Sequence, residues 1–403
     1  MKGPSASQTT IYLPEGFSFA AAAAGIKVSG RPDLALAEAC PGTAAAAVFT
    51  KNRVVAAPLL VGRAALKASR GRVRAILVNS GNANCATGPA GLRACRKVCH
   101  EASRLLGVQA GEIFPSSTGI IGVPLPAEKI LATLPELTAA KQATDVGLRR
   151  FAAAIMTTDT RPKLASARFR AGKKTVTITG VAKGAGMIHP QVATMLVYLF
   201  SDIAASPADL KRLLRQTCDQ TFNCISIDGD TSTNDTVLLL ASGKSGVKLK
   251  SSHRQFLAAL SRVCQSLATQ IVSDGEGVRH VIRLSIEQAK SRQEALRVAK
   301  SIAHSLLVKT AWAGADPNWG RILAAIGACG VAIQPHRVEI KIGRQVVFRR
   351  GAACRFDGPQ AHRHLAQSTC EIGVKLQRGH GAVVFYTTDL TAEYVRINAD
   401  YST

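Results

Sequence analysis

The stretch K-G-A-G-M-I-H-P-Q-V-A-T-M-L-V-Y-L-F-S-D, residues 183–202, sets a lysine, two glycines and a threonine just before an uninterrupted apolar run. A threonine hydroxyl is a poor nucleophile until a base takes its proton, and no well-placed His-Asp pair stands nearby. Threonine's own α-amino group can be that base, because its pKa of roughly 7.7–8.0 leaves it largely neutral at working pH. For Thr194 the amine must first be freed by cutting the Ala193-Thr194 bond. The simplest route is attack of Thr194 Oγ on the Ala193 carbonyl, an ester intermediate and entry of water. Gly184 and Gly186 would let backbone approach closely, and Pro190 would stiffen the approach. Spacing alone also fits a Gly-rich loop that merely enters a core strand.

Other groups of reactive type are scattered along the chain. Ser116-Ser117-Thr118-Gly119 reads, from its residues, as a helix cap or turn. Asn79, Asn82 and Asn84 around Gly81 read as an amide-rich turn, suited to closing the turn or to contacting a substrate. The phrase M-T-T-D-T-R-P-K, residues 156–163, follows an apolar helical segment that Pro162 helps to end, with Asp159 or Thr160 as capping residues. Asp228, Asp230 and Asp235 in a hydroxyl-rich loop invite a calcium reading, but no bidentate Glu stands at the EF-hand spacing. Glu276 lies between two glycines, so its carboxylate can come close to a ligand at little steric cost. Cys95, Cys99 and His100 are the nearest approach to a metal cluster. On a helix both cysteines share the apolar face with Leu92, Ala102 and Leu106, so buried thiols are expected and a zinc site is not. Asp316-Pro317-Asn318 reads as a turn that Arg321 ties down.

Residues 183–196 closely match the pattern K-G-[SA]-G-M-I-x-P-N-M-A-T-M-L, and on this segment the chain resembles the ornithine acetyltransferases, also called the arginine-biosynthesis bifunctional glutamate N-acetyltransferases. Gln191 and Val192 depart from the usual Asn and Met, which touches loop geometry and not the nucleophile. Matching phrases recur in order over essentially the whole chain: S-T-G-I-I-G, M-T-T-D-T-R-P-K, D-P-N-W-G-R and the ending I-N-A-D-Y-S-T. The resemblance implies Thr194 as nucleophile and amine base, cleavage between Ala193 and Thr194, and an oxyanion hole at Thr118 and Gly119. It also implies substrate contacts from Thr157, Glu276, Asn398 and Thr403. Glu276 would pair with an ornithine ammonium, while Lys183 or backbone donors meet a carboxylate. The implied reaction moves acetyl from N-acetylornithine to Thr194 and then to glutamate, a ping-pong cycle with no metal and no bound cofactor. Some members also accept acetyl-CoA, which stays open here as a co-substrate, and specialised metabolism stays open beside arginine synthesis. The implied fold is α/β, a layered α-β-β-α sandwich core with an additional C-terminal region. Self-cleavage would give chains 1–193 and 194–403 that remain one fold, as an α2β2 heterotetramer.

Groups of this kind need buried elements to hold them. Residues 195–200 are too short and too uniformly apolar for a helix with a polar outer face, so they read as a core strand with Thr194 at its start. Residues 73–78 read as another, ending at the asparagines, and 175–179 alternate as a strand. From 13 to 63 the chain reads as a small-residue sheet through G-F-S-F-A, G-I-K-V-S-G, A-A-V-F-T-K-N and A-A-P-L-L-V. Thr87-Gly88 opens an amphipathic helix through Leu92, Cys95, Val98 and Ala102. Ser206-Pro207 starts a second helix with a cap and an N1 proline. Residues 256–271 mark a core helix ending near Ser273, and 338–348 and 381–388 alternate as sheet. No internal repeat or linker is visible.

A chain of 403 residues, 47% hydrophobic, can bury a large core, and with aromatics at 5% it should pack by close backbone approach. Its formal charge of +25, from 51 Lys+Arg against 26 Asp+Glu, raises nucleic acid as a partner. The basic residues do not cluster along the sequence and lack interleaved aromatics. A solvated coat that attracts anionic substrates is therefore expected, and nucleic-acid binding is not. Ten cysteines without a C-x-x-C pair, no apolar leader and no membrane-length run predict a soluble, cytoplasmic protein. Two rivals differ in kind. One is a self-processing N-terminal-threonine aminopeptidase or amidase of related fold that passes the acyl group to water, which an assay of hydrolysis against transfer would reveal. The other is a basic nucleic-acid-binding protein on the same scaffold, which salt-sensitive retention on DNA or RNA would reveal.

Overall fold

The computed structural model describes residues 10–189 and 195–400. Ala193 and Thr194, with Pro190, Gln191 and Val192, lie outside the described residues, as does Thr403. In chain order the first half holds β1 (Phe17–Ala22), β2 (Leu34–Ala39), β3 (Ala44–Phe49), α1 (Ala57–Ala68), β4 (Ala75–Asn82), α2 (Gly88–Leu106), β5 (Ile113–Ile120), α3 (Ala127–Ala139), α4 (Asp145–Ala154), β6 (Lys163–Ala171) and β7 (Lys174–Lys183). There follow β8 (Leu196–Ser201), α5 (Pro207–Gln220), β9 (Thr236–Ala241) and α6 (His253–Ser273).

These elements form two sheets, ordered β1-β2-β4-β5 and β3-β9-β8-β7-β6. Phe17, Phe19, Ile76 and Val78 of the first meet Tyr198, Phe200, Leu238 and Leu240 of the second in one buried core. The outer face of the first sheet is covered by α2 and α3 through Cys95, Val98, Ile130 and Leu134. The outer face of the second is covered by α5 and α6 through Leu210, Leu214, Phe256, Val263 and Leu267. The core is thus α-β-β-α. Being covered on both faces is why β8 and β9 read as unbroken apolar runs, with every residue buried. Small residues line much of the sheet surface, yet the centre is aromatic: Phe19 meets Phe200 edge-to-face at 5.1 Å, and Phe151 meets Tyr198 at 5.6 Å.

The additional C-terminal region comprises β10 (Val281–Ala289), α7 (Arg292–Ala303), α8 (Leu306–Ala313), α9 (Trp319–Gly327), β11 (Glu339–Ile342), β12 (Gln345–Arg349), β13 (Ala352–Ala353), α10 (Gly358–Leu365), β14 (Thr369–Lys375), β15 (Gly381–Thr388) and α11 (Ala392–Asp400). Its sheet, ordered β13-β12-β11-β14-β10-β15, has its own core around Ile282, Leu284, Ile286, Ile302, Trp312 and Phe385. It joins the sandwich where Ser226 N–H donates to Tyr386 O at 2.9 Å. Asn318 caps α9 and Arg321 Nη1 donates to Leu307 O at 2.8 Å, so the D-P-N-W-G-R phrase ties α9 to α8.

Several local expectations are corrected. A-A-P-L-L-V begins a helix, α1, because Pro58 presets the first helical φ and Ala57, Leu59 and Gly62 share one buried face. G-I-K-V-S-G is a turn, in which the Asp33 carboxylate accepts from the N–H groups of Ala24, Ile26 and Lys27. Residues 116–119 lie inside β5, paired in parallel with β4, and are neither cap nor turn. β4 itself runs through the first asparagines to Asn82. Helix α4 ends at Ala154, well before Pro162. Cys95 and Cys99 are buried thiols on the apolar face of α2. Among the described residues no helix is long and apolar enough to cross a membrane.

Candidate active site

β7 ends at Lys183 and β8 begins at Leu196, and the two pair in antiparallel register with Lys183 opposite Leu196. The loop between them therefore leaves and re-enters the sheet at one end, and Lys183 marks that end. Its side chain is buried. Its Nζ donates to Thr157 Oγ1 at 2.8 Å and to Thr118 Oγ1 at 3.1 Å. Burial lowers its pKa from the ordinary lysine value, opposed by the nearby Asp159 carboxylate, with Lys163, Asp235 and Glu276 in its field. Three residues far apart in sequence, Thr118, Thr157 and Lys183, thus meet in one cluster.

Thr118 and Gly119 come from β5, opposite Ser80 and Gly81 of β4. Gly119 has φ +135, and a Cβ there would stand 2.3 Å from the Gly81 carbonyl carbon. Only glycine permits this close approach, which turns the strand end toward the Lys183 cluster.

Asp159 fixes the neighbouring loop. Its Oδ1 accepts from Lys163 Nζ and from Gly184 N–H, each at 2.6 Å, and its Oδ2 accepts from Thr157 N–H at 3.1 Å. Lys163 is fully buried and also reaches Asp274 Oδ2 at 2.6 Å, while Thr160 N–H donates to the same oxygen at 3.1 Å. Burial alone would raise the Asp159 pKa. The charges of Lys183 and Lys163, with these hydrogen bonds, outweigh it and bring the group down to about 2. Asp159 and Thr160 are therefore loop anchors, not helix caps.

Beyond Asp274 the chain reaches Glu276, whose N–H donates to Ala185 O at 2.9 Å. A Cβ on Gly186 would stand 2.6 Å from the Glu276 carboxylate, so the glycine lets the loop lie against that side chain. Asn398 on α11 donates to Glu276 Oε2 at 2.9 Å, and Gly277, at φ +66, is closed upon by the Tyr394 backbone. The chain end is thus docked and not frayed, up to Asp400. Tyr394 OH donates to Asp228 Oδ2 at 3.3 Å, and Met187 N–H to the same oxygen at 2.5 Å. Burial raises the Asp228 pKa to about 6. Asp235, in the strand-leading turn of β9, is also pushed well up by burial.

Four of these groups were not singled out by sequence: Lys27, Lys163, Asp274 and Tyr394. The i,i+4 spacing of Asp159 and Lys163 was a usable signal. Lys27 was hidden in the G-I-K phrase; burial, with Lys183 nearby and despite Asp33, lowers its pKa to about 8. Nothing local announces the reach of Asp274 and Tyr394. Among the described residues no group of His, Cys, Asp and Glu is arranged to hold a metal ion.

Ionisable groups buried together where two strands begin and end, as Lys183 and Asp159 are in this four-layer α/β sandwich, are the kind of site enzymes use. Residues 18–403 match the ArgJ family. The chain is 44% identical over 394 residues to the arginine biosynthesis bifunctional protein ArgJ of Thermus thermophilus, covering 98% of this chain and 100% of that one. Among solved structures it is similar to the ArgJ protein of Bacillus halodurans, at 39% identity and TM-score 0.49, over 51% of this chain and 98% of that chain. It is also similar to an ornithine acetyltransferase complexed with ornithine from Mycobacterium tuberculosis, at 39% identity and TM-score 0.40, over 45% and 94%. The chain belongs to the ArgJ family of arginine-biosynthesis enzymes.

Proposed function

We propose that the protein cleaves itself between Ala193 and Thr194 and then transfers acetyl from N-acetylornithine to glutamate through an acetyl ester on Thr194. The observation that carries this reading is the convergence, at the β7–β8 loop, of Lys183, Thr118 and Thr157 with the Glu276–Asn398 pair. Family membership supports it, since the Thermus relative is named a bifunctional arginine biosynthesis protein.

In the cycle, the free amine of Thr194 takes the hydroxyl proton as Oγ attacks the acetyl carbonyl. The Thr118 hydroxyl and the Gly119 N–H receive the oxyanion. Lys183, bonded to Thr118, orients that hydroxyl and adds positive charge where negative charge develops; one such donor is typically worth about 10²–10³ in rate. Glu276, held by Asn398, pairs with the ornithine ammonium, and Thr157 and the Thr403 end of the chain complete the pocket. Ornithine leaves with the proton, and the glutamate amine then attacks the ester and regenerates Thr194. No cofactor is needed; acetyl-CoA would serve only as an alternative acetyl donor.

The two products should stay together in the cytoplasm, as α2β2. Severing the loop leaves the β7–β8 and β3–β9 ladders intact, and each joins the first chain to the second. The test is a denaturing gel and gel filtration of the protein beside Thr194→Ala. Two bands that co-elute natively are expected for the parent and one band for the variant. Active protein that runs as a single uncut chain would refute the mechanism.

A further inference from the structure

β3 is the edge strand of its sheet, and both α1 and α5 pack against it. Six basic residues from separate parts of the sequence come together here. A cavity of about 570 Å³ is lined by Lys51, Arg63, Lys211 and Arg215 around the backbone of Ala47, Val48 and Phe49. An adjoining cavity along the same edge adds Lys67 and Arg70. None of these six cations forms an ion pair among the described residues. The acid in the lining, Asp219, already accepts from Asn223 Nδ2 at 2.8 Å. Four cations around the first cavity against the one carboxylate of Asp219 leave an excess of positive charge, a cost in the free protein that an anionic ligand would relieve.

The strand contributes donors. Thr50 N–H points inward to Asp235 O and Ala45 N–H outward to Gly71 O, so alternation turns the amides of Ala47 and Phe49 toward the open edge. Two amides are too few to pair a peptide strand but suit a compact anion. The Phe49 ring is engaged already, under the Arg63 guanidinium at 4.8 Å and stacked with Phe114 at 6.2 Å. Recognition would therefore rest on charge and amide donors, not on stacking a base.

We infer that this cleft binds a ligand bearing a diphosphate group. In register Phe49 lies opposite Thr236, and Thr236 opposite Leu196, so the cleft opens at the active-site end of the sheet. From Phe49 to Leu196 is two strand spacings, roughly 10 Å, and to Lys183 three, roughly 14 Å. A diphosphate could come from a free nucleotide or from an acyl carrier such as coenzyme A; the carrier alternative alone rests on the acetyl-transfer reading.

The test is calorimetric titration of the full protein with inorganic pyrophosphate, ADP and coenzyme A, independent of any acetyl-transfer assay. In Lys211→Glu/Arg215→Glu the pyrophosphate Kd should rise about tenfold or more, as loss of charge-assisted contacts requires. Arg93→Glu/Arg96→Glu, with the same charge change on the exposed side of α2, should stay within about twofold. If the reversal variant melts early, Lys211→Gln/Arg215→Gln carries the same expectation. Coenzyme A binding more tightly than ADP would identify the carrier, and equal binding would identify free nucleotide. Absence of pyrophosphate binding at about 1 mM, or equal weakening in the α2 control, would overturn the proposal.

Discussion

At the scale of single residues, the site depends on buried charges held by named partners. Glu276 is oriented by Asn398 and lies against Gly186, a geometry suited to meeting a cation in the loop. Glu276→Gln keeps the shape and removes the charge. It should raise the apparent KM for N-acetylornithine about tenfold, the order expected for a lost charge-assisted contact, while leaving self-cleavage intact. An unchanged KM in steady-state assays would remove Glu276 from substrate binding. Lys163 is buried between Asp159 and Asp274. Lys163→Met would leave two buried carboxylates facing one another without their cation, a loss of roughly 3–5 kcal/mol. Urea unfolding that shows less than about 1 kcal/mol would mean that the loop can re-close without it.

At the scale of elements, the decisive contact is the crossing of β4 and β5 at Gly81 and Gly119. A methyl on Gly119 would overlap Gly81 and Asn82 backbone, and φ +135 is itself unfavourable for alanine. Gly119→Ala should cost about 1–3 kcal/mol and swing Thr118 away from Lys183. The expected outcome is a lowered Tm together with slowed cleavage; a variant with parental Tm and parental cleavage would show that the strand end adapts. This level also marks how far sequence reading reaches. The apolar run of β8, the capped start of α5 and the long buried face of α6 were legible because one local pattern dictates each. The segments at 56–61 and 116–119 misled, because a short apolar or hydroxyl-rich stretch takes its conformation from what it packs against. Small residues suit both a strand and a helix start.

At the scale of the whole molecule, buried ionisable groups couple stability to pH. His304 bridges the sandwich and the C-terminal region through Ser226 Oγ, 3.0 Å from its Nε2. Burial, then His189, Lys309 and Lys300, lowers its pKa to about 3, against 6.5 when exposed. Between those values the unfolded chain binds a proton that the folded chain does not. The contribution of His304 to stability therefore falls as pH drops from about 6.5 toward 3. Asp159, depressed to about 2, adds to the fall only below the ordinary carboxylate pKa of about 3.9. The carboxyls of Asp228 and Asp235, raised by burial, work the other way and gain stability as pH drops, so His304 is read by difference: on going from pH 7 to pH 5 the Tm should change less favourably in the parent than in His304→Gln, which retains a partner for Ser226. An equal change in parent and variant would place the acid sensitivity elsewhere.

The order of residues along the chain was enough for the threonine-preceded core strand, because hydrophobic period is a local property, and for a family likeness carried by short contiguous phrases, which in turn implied the layered α/β fold. Tertiary structure alone decided that Lys183 meets Thr118 and Thr157, that the far end of the chain folds back onto Glu276, and that dispersed cations converge beside β3. Those meetings join residues far apart in the sequence; Asn398 and Glu276 are 122 positions apart. No local pattern encodes such a meeting; it exists only once the sheets have stacked and brought their ends together.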